Sequence, residues 1–476
     1  MFVLCGCGIT VSLMHTLVVP LLPEISRGLH LSQDSASWLL TATMLAGAVC
    51  APMAGRLGDM IGKRAVLAYA LALMTAGSLL GAVSWSFGSL LVARMLQGAA
   101  FGVLPLGISI LKDELPPDRV MAGTATMSST LGVGAAIGMP LAGVIAQPLS
   151  WHAVFWAATA TSLVMLVLVV AFVPESPLRS GGRFDVLGAF GLAAGLVALL
   201  LAISQGSRWG WASVPTIGMF AAAALVLAVW SAHQLRTRSP LVDLRTSARP
   251  VVLLTNLATV LVGVGMFAGF MLTPLQLQAE QATGYGFGVP VLVAGVCMIP
   301  MGLGMLIFSP LSAKLSSRRG AHTTLMTGAL ILCAANICQA LLPGSLAVLV
   351  SVLMLASIGA ALCFSAMPTL IMDWVPVTET ASANSLNALL RTIGTSTCAA
   401  LGGTFLAAFT LDVGGAPVPS STGFVLTYWI AAAASLVAAA LAAAVAMVIR
   451  RTGSRLARVA ELDGEGAVDN AVDTAA

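Results

Sequence analysis

Charged residues are scarce in this chain. Lys, Arg, Asp and Glu together make up 8% of its 476 residues, whereas an ordinary soluble domain carries about 25%. Hydrophobic residues make up 58%, and the mean hydropathy is +0.99. This composition excludes a water-soluble protein and places the chain in a lipid bilayer. The formal net charge of +4 is too small to indicate nucleic acid as a partner.

The sequence also lacks cysteine clusters. Its 8 cysteines are scattered through apolar runs, where a thiol behaves as a small apolar group. The pair Cys5 and Cys7 has no histidine or second cysteine pair nearby, which argues against a zinc site or a disulfide framework. We therefore expect no metal and no cofactor.

Charge-free runs locate the membrane spans. A helix needs about 20 apolar residues to cross about 30 Å of hydrocarbon. Two runs are twice too long, and each contains a turn with proline, at residues 147–150 and 342–345, that divides it into two helices. The sequence thus predicts an all-α integral membrane protein with 14 transmembrane helices. The runs are 1–23, 35–55, 65–93, 95–111, 120–174, 186–207, 209–235, 250–279, 281–313, 320–372, 392–411 and 413–449.

The basic residues predict the orientation. With both termini in the cytoplasm, eighteen of the 22 Lys and Arg residues fall on the cytoplasmic side, as the positive-inside rule requires. Arg27 and Arg208 fall outside, and Arg94 and Arg391 lie within or close to spans. We expect a multi-pass protein of a bacterial-type plasma membrane. Because residues 1–19 carry no basic lead, we also expect the natural start to lie further upstream.

A weak internal repeat divides the spans into two sets. Short turns rich in small and basic residues follow span 2, at 55–64, and span 10, at 309–319. Two parallel six-helix halves that face each other are a transporter architecture, with substrate held between them near the midplane. We expect an N-terminal half at 1–174, an inserted helix pair with its linkers at 175–249, a C-terminal half at 250–449, and a tail at 450–476. The acidic, Ala/Gly-rich tail cannot bury a core and is expected to be disordered from about residue 460.

Several motifs resemble one family. The loop GRLGDMIGKR at 55–64 resembles the loop-2/3 signature of the major facilitator superfamily. Arg94, followed three residues later by Gln97 and Gly98, resembles its span-4 signature. The run GAAIGMPLAG at 134–143 resembles the span-5 signature of its antiporters, except that Met139 stands before the proline.

The branch is indicated by the inserted pair. Fourteen spans, with FDVLG at 184–188 opening span 7 and QGSRWGW at 205–211 closing it, are similar to the fourteen-helix drug:proton antiporter branch. The resemblance implies a monomeric secondary transporter that exports small amphipathic drug-like or antibiotic compounds, cations among them, in exchange for protons by alternating access. Its expected partners are that substrate, protons and the lipid bilayer, with the proton gradient as driving force.

Three other functions remain as alternatives. A carrier of the same fold that imports or exports a metabolite is the nearest. An intramembrane enzyme is disfavoured, because the sequence has no HExxH, no Gly-x-Ser-x-Gly, no phosphate loop and no paired midplane carboxylates. A channel is disfavoured, because nothing resembles a charged ring or a selectivity filter.

The 55–64 loop is the candidate gate. Gly55 and Gly62 allow a tight turn, and Asp59 can accept hydrogen bonds from a helix N-terminus, for which the start of span 13 near 378–380 is the expected partner. We interpret the loop as a latch that holds the cytoplasmic side in one state. The alternative is a solvated loop that only sets the topology.

Basic residues complete this gate. Lys63 or Arg64 is expected to pair with Asp113 or Glu114 after span 4.

In span 5, the small residues and the proline favour close helix contact and a bend. The antiporter-like residues are Gly134, Gly138, Pro140 and Gly143.

Proton coupling needs a group that exchanges a proton, yet no acidic residue lies at the centre of any predicted span. The branch carries an aspartate in span 1, and here Met14 stands in its place. His15 follows it, and an unperturbed imidazole with a pKa of about 6.5 suits reversible protonation. A neutral hydrogen-bonded histidine that lines the cavity is the alternative. The candidates are His15, Glu24, Asp34 and Glu280, with Arg94 to modulate them.

An ionised arginine inside a span is costly, so Arg94 should face the bundle interior, water or a partner. We interpret it as a coupling or substrate-binding group, with a structural hydrogen-bonding role as the alternative. Other polar groups within spans are expected to line a cavity between the halves or to join helices, at about 0.6 kcal/mol per pair. The 22 methionines suit a pocket that repacks around varied ligands. The cavity candidates are Met14, Gln97, Asn256, Gln276, Gln278, Asn387 and Arg391.

Overall fold

The computed structural model describes residues 1–146, 150–176, 179–341, 344–413 and 416–473, with the side chains of 19, 33, 34, 139, 143, 146, 291, 292, 413, 416 and 453–473 left out. Almost all of the described chain is helical. The α-helices are α1 (Phe2–Leu17), α2 (Leu22–Gly28), α3 (Gln33–Ile61), α4 (Lys63–Ala82), α5 (Phe87–Gly98), α6 (Val103–Glu114), α7 (Pro117–Ala146), α8 (Trp151–Phe172), α9 (Val186–Trp209), α10 (Val214–Arg236), α11 (Leu244–Ser247), α12 (Pro250–Gln278), α13 (Val291–Arg319), α14 (Ala321–Leu341), α15 (Leu346–Met372), α16 (Thr380–Ala408) and α17 (Ser421–Asp473). A hairpin of β1 (Thr410–Val413) and β2 (Ala416–Pro419) joins α16 to α17.

The predicted all-α membrane fold is confirmed. Within the described ranges, 12 helices are long and apolar enough to cross a membrane, and α1 with α2, bent by 56°, can make a thirteenth. Helix α16 has 29 residues but is outside this set, because Arg391 and several Thr, Ser and Gly residues lower its hydropathy. The count of 14 spans therefore stays a prediction.

Both predicted helix breaks coincide with helix ends. Helix α7 ends at Ala146 and α8 begins at Trp151, whereas α14 ends at Leu341 and α15 begins at Leu346. Residues 147–149 and 342–343 of the predicted turns lie outside the described residues. Ser345 caps α15 by accepting a hydrogen bond from the Val348 N–H at 3.3 Å. The disorder expected from about residue 460 stays a prediction, and the backbone of α17 is helical as far as Asp473.

Two sets of helices have separate cores. One core is formed almost entirely by α1 to α8, in which α1 packs on α7 and α4 on α8. Helices α12 to α17 form the others, with α12 and α14 both packed on α17. We call these the N-terminal and C-terminal halves. They meet mainly where α7 packs on α13 and where α3 packs on α16.

The inserted pair α9 and α10 packs together, and α9 also contacts α3 and α16. Asp185 caps α9 by accepting a hydrogen bond from the Gly188 N–H at 2.8 Å. The same carboxylate lies 3.2 Å from His233 Nε2 and accepts a hydrogen bond from Gln234 Nε2 at 2.7 Å. It therefore ties the start of α9 to the end of α10.

The Asp185 contact predicts a pH dependence. Burial works to raise the pKa of Asp185, but the hydrogen bonds from Gly188, His233 and Gln234 outweigh it and hold the pKa below its usual value. The stabilisation is present above the unfolded pKa of about 3.9 and is lost as the pH falls through the lower folded pKa. We expect Asp185→Asn to lower the thermal unfolding midpoint at pH 7. As the pH falls, the midpoint of this variant should decrease less than that of the wild type.

The measurement is a series of thermal unfolding midpoints in detergent between pH 3 and pH 7. Asp118→Asn is the matched control, because the Asp118 side chain is 77% exposed and lies 3.9 Å from Arg119. Equal midpoints for Asp185→Asn and the wild type at pH 7 would contradict the prediction.

Candidate functional site

A central cavity of about 170 Å³ lies between the two halves. Its volume is comparable to that of an engineered protein cavity of about 150 Å³ that binds benzene. Most of its wall is aromatic or aliphatic. The lining residues are Val11, Ser12, His15, Thr16, Met44, Gly47, Ala51, Phe101, Leu104, Leu131, Gly132, Ala135, Met266, Phe267, Phe270, Met301, Met305, Phe364, Ala388, Leu389, Arg391, Thr392 and Thr395.

His15 is one of two ionisable residues in this lining. Its ring meets the Phe101 ring edge-on, with the centroids 5.1 Å apart and an interplanar angle of 84°. Its Nδ1 has no hydrogen-bond partner among the described residues. The structure thus places His15 in the cavity wall, the position that both of its possible roles require.

Arg391 on α16 is the other ionisable residue of the lining. Its guanidinium carbon lies 4.9 Å from the centre of the Phe364 ring, a cation–π contact. No hydrogen bond or salt bridge from this guanidinium is found in the described part of the chain. Its five N–H donors are therefore available to a molecule in the cavity.

Arg94 and Gln97 do not line the cavity. Arg94 is fully buried within the N-terminal half, and its Nη1 donates to Gln97 Oε1 at 2.5 Å. Its Nε donates to the Leu39 carbonyl oxygen at 3.4 Å, and Gln97 Nε2 donates to Ser78 Oγ at 2.9 Å. These bonds join α3, α4 and α5, so the geometry favours the structural alternative. Arg94 still acts electrostatically on His15.

Asp59 on α3 forms a latch across the two halves. Its carboxylate accepts hydrogen bonds from the N–H groups of Ala381 at 3.2 Å and Ser382 at 2.8 Å, and from Ser382 Oγ at 2.8 Å. These groups belong to the first turn of α16, where unpaired N–H groups and the helix dipole favour a negative charge. The predicted contact between Asp59 and the start of span 13 is therefore present.

Glycines allow this contact. A Cβ at Gly55 would meet Ser385 Oγ and the carbonyl oxygen of Ala381, so only glycine lets α3 lie so close to α16. Gly62 ends α3 at φ 121°, in a region that disfavours side chains. The structure therefore explains why glycine is needed at both positions: Gly55 allows the close approach of α16, and Gly62 adopts a positive φ.

Lys63 forms the second contact of the gate. Its Nζ donates to Asp113 Oδ2 at 2.6 Å and to Thr380 Oγ1 at 3.0 Å. The side chains of Lys63 and Asp113 are 1% and 4% exposed. The predicted partner is thus Asp113, with Lys63 as the donor. Arg64 instead donates from Nη2 to the Val170 carbonyl oxygen at 2.6 Å.

Other hydrogen bonds between the halves lie towards the same end. Lys112 donates to the carbonyl oxygen of Met372, and Asn384 Nδ2 donates to Ser109 Oγ at 3.3 Å. Ser128 Oγ donates to the Phe364 carbonyl oxygen at 3.0 Å. The described residues thus close the Asp59 end by a set of hydrogen bonds that starts beside the cavity.

The antiporter-like segment is a packing surface. A Cβ at Gly134 would meet the Ile9 carbonyl oxygen, and one at Gly138 would meet Thr16 Oγ1, so these two positions bring α7 close to α1. Pro140 lies against Gly295 of α13 in the other half. Gly143 lies on α7 among the residues whose side chains are not described. The segment thus joins span 1 to the interface between the halves, as close packing predicts.

The remaining cavity candidates lie elsewhere. Met14 is buried in the core of the N-terminal half. Asn387 Nδ2 donates to Asn256 Oδ1 at 3.1 Å and to Thr259 Oγ1 at 2.6 Å, which joins α12 to α16. Gln276 and Gln278 belong to the last turns of α12, where Gln278 donates to the Pro274 carbonyl oxygen at 3.1 Å. None of these positions is in the described cavity lining. Met14 and the two asparagines pack or hydrogen-bond between helices, whereas Gln276 Oε1 is buried without a hydrogen-bond partner among the described residues.

The acidic proton candidates are also outside the described cavity lining. Glu24 accepts a hydrogen bond from the Trp151 N–H at 3.2 Å and so caps α8. Glu280 is exposed after the end of α12. The side chain of Asp34 lies outside the described residues. Among the described candidates, only His15 reaches the cavity.

Sequence reasoning missed Arg56. It is 6% exposed, and its Nη1 donates to Ser180 Oγ at 3.3 Å, so α3 is tied to the linker before α9. Its place in the 55–64 loop was the signal that could have found it. The four phenylalanines of the cavity carried no such signal, because an apolar residue facing a cavity has the same pattern as one facing lipid.

The described residues contain no group of three or more His, Cys, Asp or Glu side chains that could hold a metal ion. The ionisable chemistry of the cavity is thus limited to an imidazole and a guanidinium. Together with the gate, this arrangement can hold a small apolar molecule with a polar end and expose it to one side at a time.

Known transporters resemble this chain in sequence. The multidrug resistance protein Stp of Mycobacterium tuberculosis is 27% identical over 408 residues, which cover 85% of this chain and 75% of that protein. The tetracenomycin C resistance and export protein of Streptomyces glaucescens is 28% identical over 324 residues, 67% of this chain and 59% of that protein. The matched part of the chain spans 44% of an uncharacterized MFS-type transporter of M. tuberculosis.

Solved structures show the same fold. The human organic anion transporter MFSD10 matches with a TM-score of 0.64 and 20% identity, covering 92% of this chain and 98% of that one. The proton:xylose symporter XylE matches with a TM-score of 0.62 and 13% identity, covering 92% and 93%. A sequence model of the Major Facilitator Superfamily matches residues 4–303 and 257–468. This chain therefore belongs to the Major Facilitator Superfamily.

Proposed function

We propose that this transporter exports small amphipathic, drug-like compounds through the central cavity by alternating access, in exchange for protons. The observation that carries the proposal is the cavity itself, which lies between the two halves and combines an apolar wall with two ionisable groups. The names of two relatives, a multidrug resistance protein and an antibiotic export protein, support this substrate class. The fourteen-helix drug:proton antiporter branch is part of the same proposal.

The cavity wall favours amphipathic compounds over polar metabolites. Four phenylalanines and four methionines are among its lining residues, and methionine adapts to ligands of different shape. A sugar or an amino acid needs a hydrogen-bonding partner for each of its polar groups once water is removed. Hydroxyl groups such as those of Ser12, Thr392 and Thr395 are too few to supply them.

The gate supports alternating access. Asp59, Lys63 and Lys112 hold the Asp59 end closed through hydrogen bonds that reach from one half to the other. We place this end at the cytoplasmic side of a bacterial-type plasma membrane, with both termini cytoplasmic, because the basic loops favour that orientation. The halves then release these hydrogen bonds when the cavity opens to the cytoplasm.

We assign proton exchange to His15. Arginine keeps its proton in proteins, so His15 is the group of the cavity lining that can change charge. A proton on His15 adds a positive charge to a wall that already holds Arg391, near Arg94. That charge draws water into the cavity and weakens the binding of an apolar compound, which is the competition that exchange requires.

His15→Gln tests this assignment in liposomes that hold the purified chain and a pH gradient. The probes are two amphipathic ions of opposite charge, naphthalene-2-sulfonate and ethidium. For each probe that the wild type moves, we expect His15→Gln to lose the dependence on the gradient, because glutamine keeps hydrogen bonds but cannot take up a proton.

His152→Gln is the matched control. His152 lies at the start of α8, and its Nε2 is 3.0 Å from the Ser84 carbonyl oxygen, away from the cavity lining. This variant should behave as the wild type. Full gradient-driven transport by His15→Gln would refute the assignment and redirect attention to Glu24 or Asp34. Failure of the wild type to move either probe would contradict the proposed export.

A further inference from the structure

The charges of the cavity are of one sign. Its lining contains the Arg391 guanidinium and the His15 imidazole, and no described lining residue is an aspartate or a glutamate. We infer that the cavity selects amphipathic organic anions, in which a carboxylate, sulfonate or phenolate is joined to an aromatic body. The inference rests on the proposed function in one respect, that the cavity is the substrate site.

Arg391 provides the anion contact. The guanidinium lies over the Phe364 ring, and no side-chain or backbone acceptor binds it in the described part of the chain. A charge inside the membrane without a partner is costly, and a planar guanidinium binds carboxylate or sulfonate oxygens through two parallel N–H donors. An anion at this position would supply the missing acceptor.

The aromatic wall provides the contact for the rest of the molecule. Phe267 and Phe270 come from α12, with ring centroids 5.8 Å apart, and Phe101 comes from the other half. Rings attract an aromatic body by stacking or by edge-to-face contact. A ligand that places its anionic group at Arg391 and its ring among these phenylalanines satisfies both parts of the wall.

A cation finds no equivalent partner. The carboxylates nearest to the gate are already used, Asp59 by the first turn of α16 and Asp113 by Lys63. Glu24 is used at the other end by the Trp151 N–H. A cationic compound in the cavity would lie near Arg391 without a carboxylate in the described lining to balance it.

Anion selectivity is measured at pH 8, where an unperturbed imidazole is neutral, so that Arg391 is tested separately from the proton exchange proposed for His15.

The experiment compares two ligands with one aromatic body. The full chain in lipid nanodiscs is titrated by calorimetry at pH 8 with naphthalene-2-sulfonate and with (2-naphthyl)trimethylammonium. We expect the sulfonate to bind at least tenfold more tightly. Arg391→Gln should weaken the binding of the sulfonate at least tenfold and leave the ammonium compound unchanged or bound more tightly, whereas Arg391→Lys should retain part of the preference.

Arg119→Gln is the control, because Arg119 is exposed outside the cavity lining. Equal or tighter binding of the ammonium compound, or unchanged sulfonate binding by Arg391→Gln, would overturn the inference while leaving export in place. Binding of neither compound would contradict both the inference and the cavity as the substrate site. If Arg391→Gln does not fold, the comparison is between the wild type and Arg391→Lys. A preference for the sulfonate that Arg391→Lys keeps supports the inference, and the absence of this preference from both proteins refutes it.

Discussion

Replacing Asp59 by asparagine is expected to open the Asp59 end of the transporter. The carboxylate accepts three hydrogen bonds from Ala381 and Ser382, and an asparagine offers one acceptor oxygen while its amide nitrogen faces N–H donors. Hydrogen bonds to a charged group contribute about 1.5–3 kcal/mol each. The loss of two of them, about 3 kcal/mol, would shift the ratio of closed to open transporter roughly 100-fold.

Labelling of a cavity residue measures this opening. Ala388 lines the cavity on α16, and a cysteine at this position, in a chain without its other cysteines, can be labelled by a membrane-impermeant maleimide. From the side of the Asp59 end, we expect slow labelling in the parent chain and fast labelling with Asp59→Asn. Asp118→Asn, which removes an exposed carboxylate near the same end, should label slowly. Equal slow rates for Asp59→Asn would contradict the latch.

The Lys63–Asp113 pair gives the largest expected effect on stability. Both side chains are at least 96% buried, and the two charged atoms are 2.6 Å apart. Removal of one member of a buried ion pair leaves the other charge without a partner, at a cost of about 3–5 kcal/mol. We therefore expect Lys63→Met to lower the thermal unfolding midpoint strongly.

The double variant separates the pair from its members. Lys63→Met combined with Asp113→Leu removes both charges, and replacement of a whole buried pair by apolar groups is often neutral. The double variant should thus be more stable than Lys63→Met alone. In the exposed pair of Asp118 and Arg119, each single variant should stay within about 1 kcal/mol of the wild type. A double variant as unstable as the sum of its single variants would show that the two charges are not coupled.

The positions of the spans and of the gate were predictable from the sequence. Charge is excluded from hydrocarbon so strongly that most charge-free runs mark a helix. The exceptions are the run ends at residues 93–95 and 392, because Arg94 and Arg391 lie inside α5 and α16. The partner of Asp59 could be predicted because a helix N-terminus carries unpaired N–H groups. The pairing of Lys63 with Asp113 could be predicted because opposite charges near the same membrane face attract each other.

The cavity lining was not predictable to the same extent. An apolar side chain is equally suited to lipid, to a core or to a cavity, so the sequence does not distinguish Met14 in the core from Met301 in the cavity wall. Polar residues in spans were equally ambiguous. Asn256 and Asn387 join two helices, whereas Arg391 faces the cavity, and the difference depends on helix rotation in the assembled bundle.

Arg94 shows the same limit for a charge. A charged guanidinium inside a span is so costly in free energy that Arg94 was expected to have a partner or water. Its partners are the Gln97 amide on the same helix and the Leu39 carbonyl oxygen. The i,i+3 spacing of Arg94 and Gln97 is a sequence signal for the first contact, but the contact with a backbone carbonyl leaves none. Helix α16 is a related case. Arg391, which faces the cavity, lowers the hydropathy of this helix, so the helix does not stand out as a membrane span.

Alternating access between the two halves is the central claim, and electron–electron distance measurements test it most directly. Spin labels at exposed residues, in a chain without its eight free cysteines, would report the Asp59 end through Arg119 and Arg318 and the opposite end through Arg27 and Gln281. When Asp59→Asn is introduced, we predict that the first distance increases while the second decreases. If the two distances increase together, or if neither changes, the halves do not open alternately and the account is wrong.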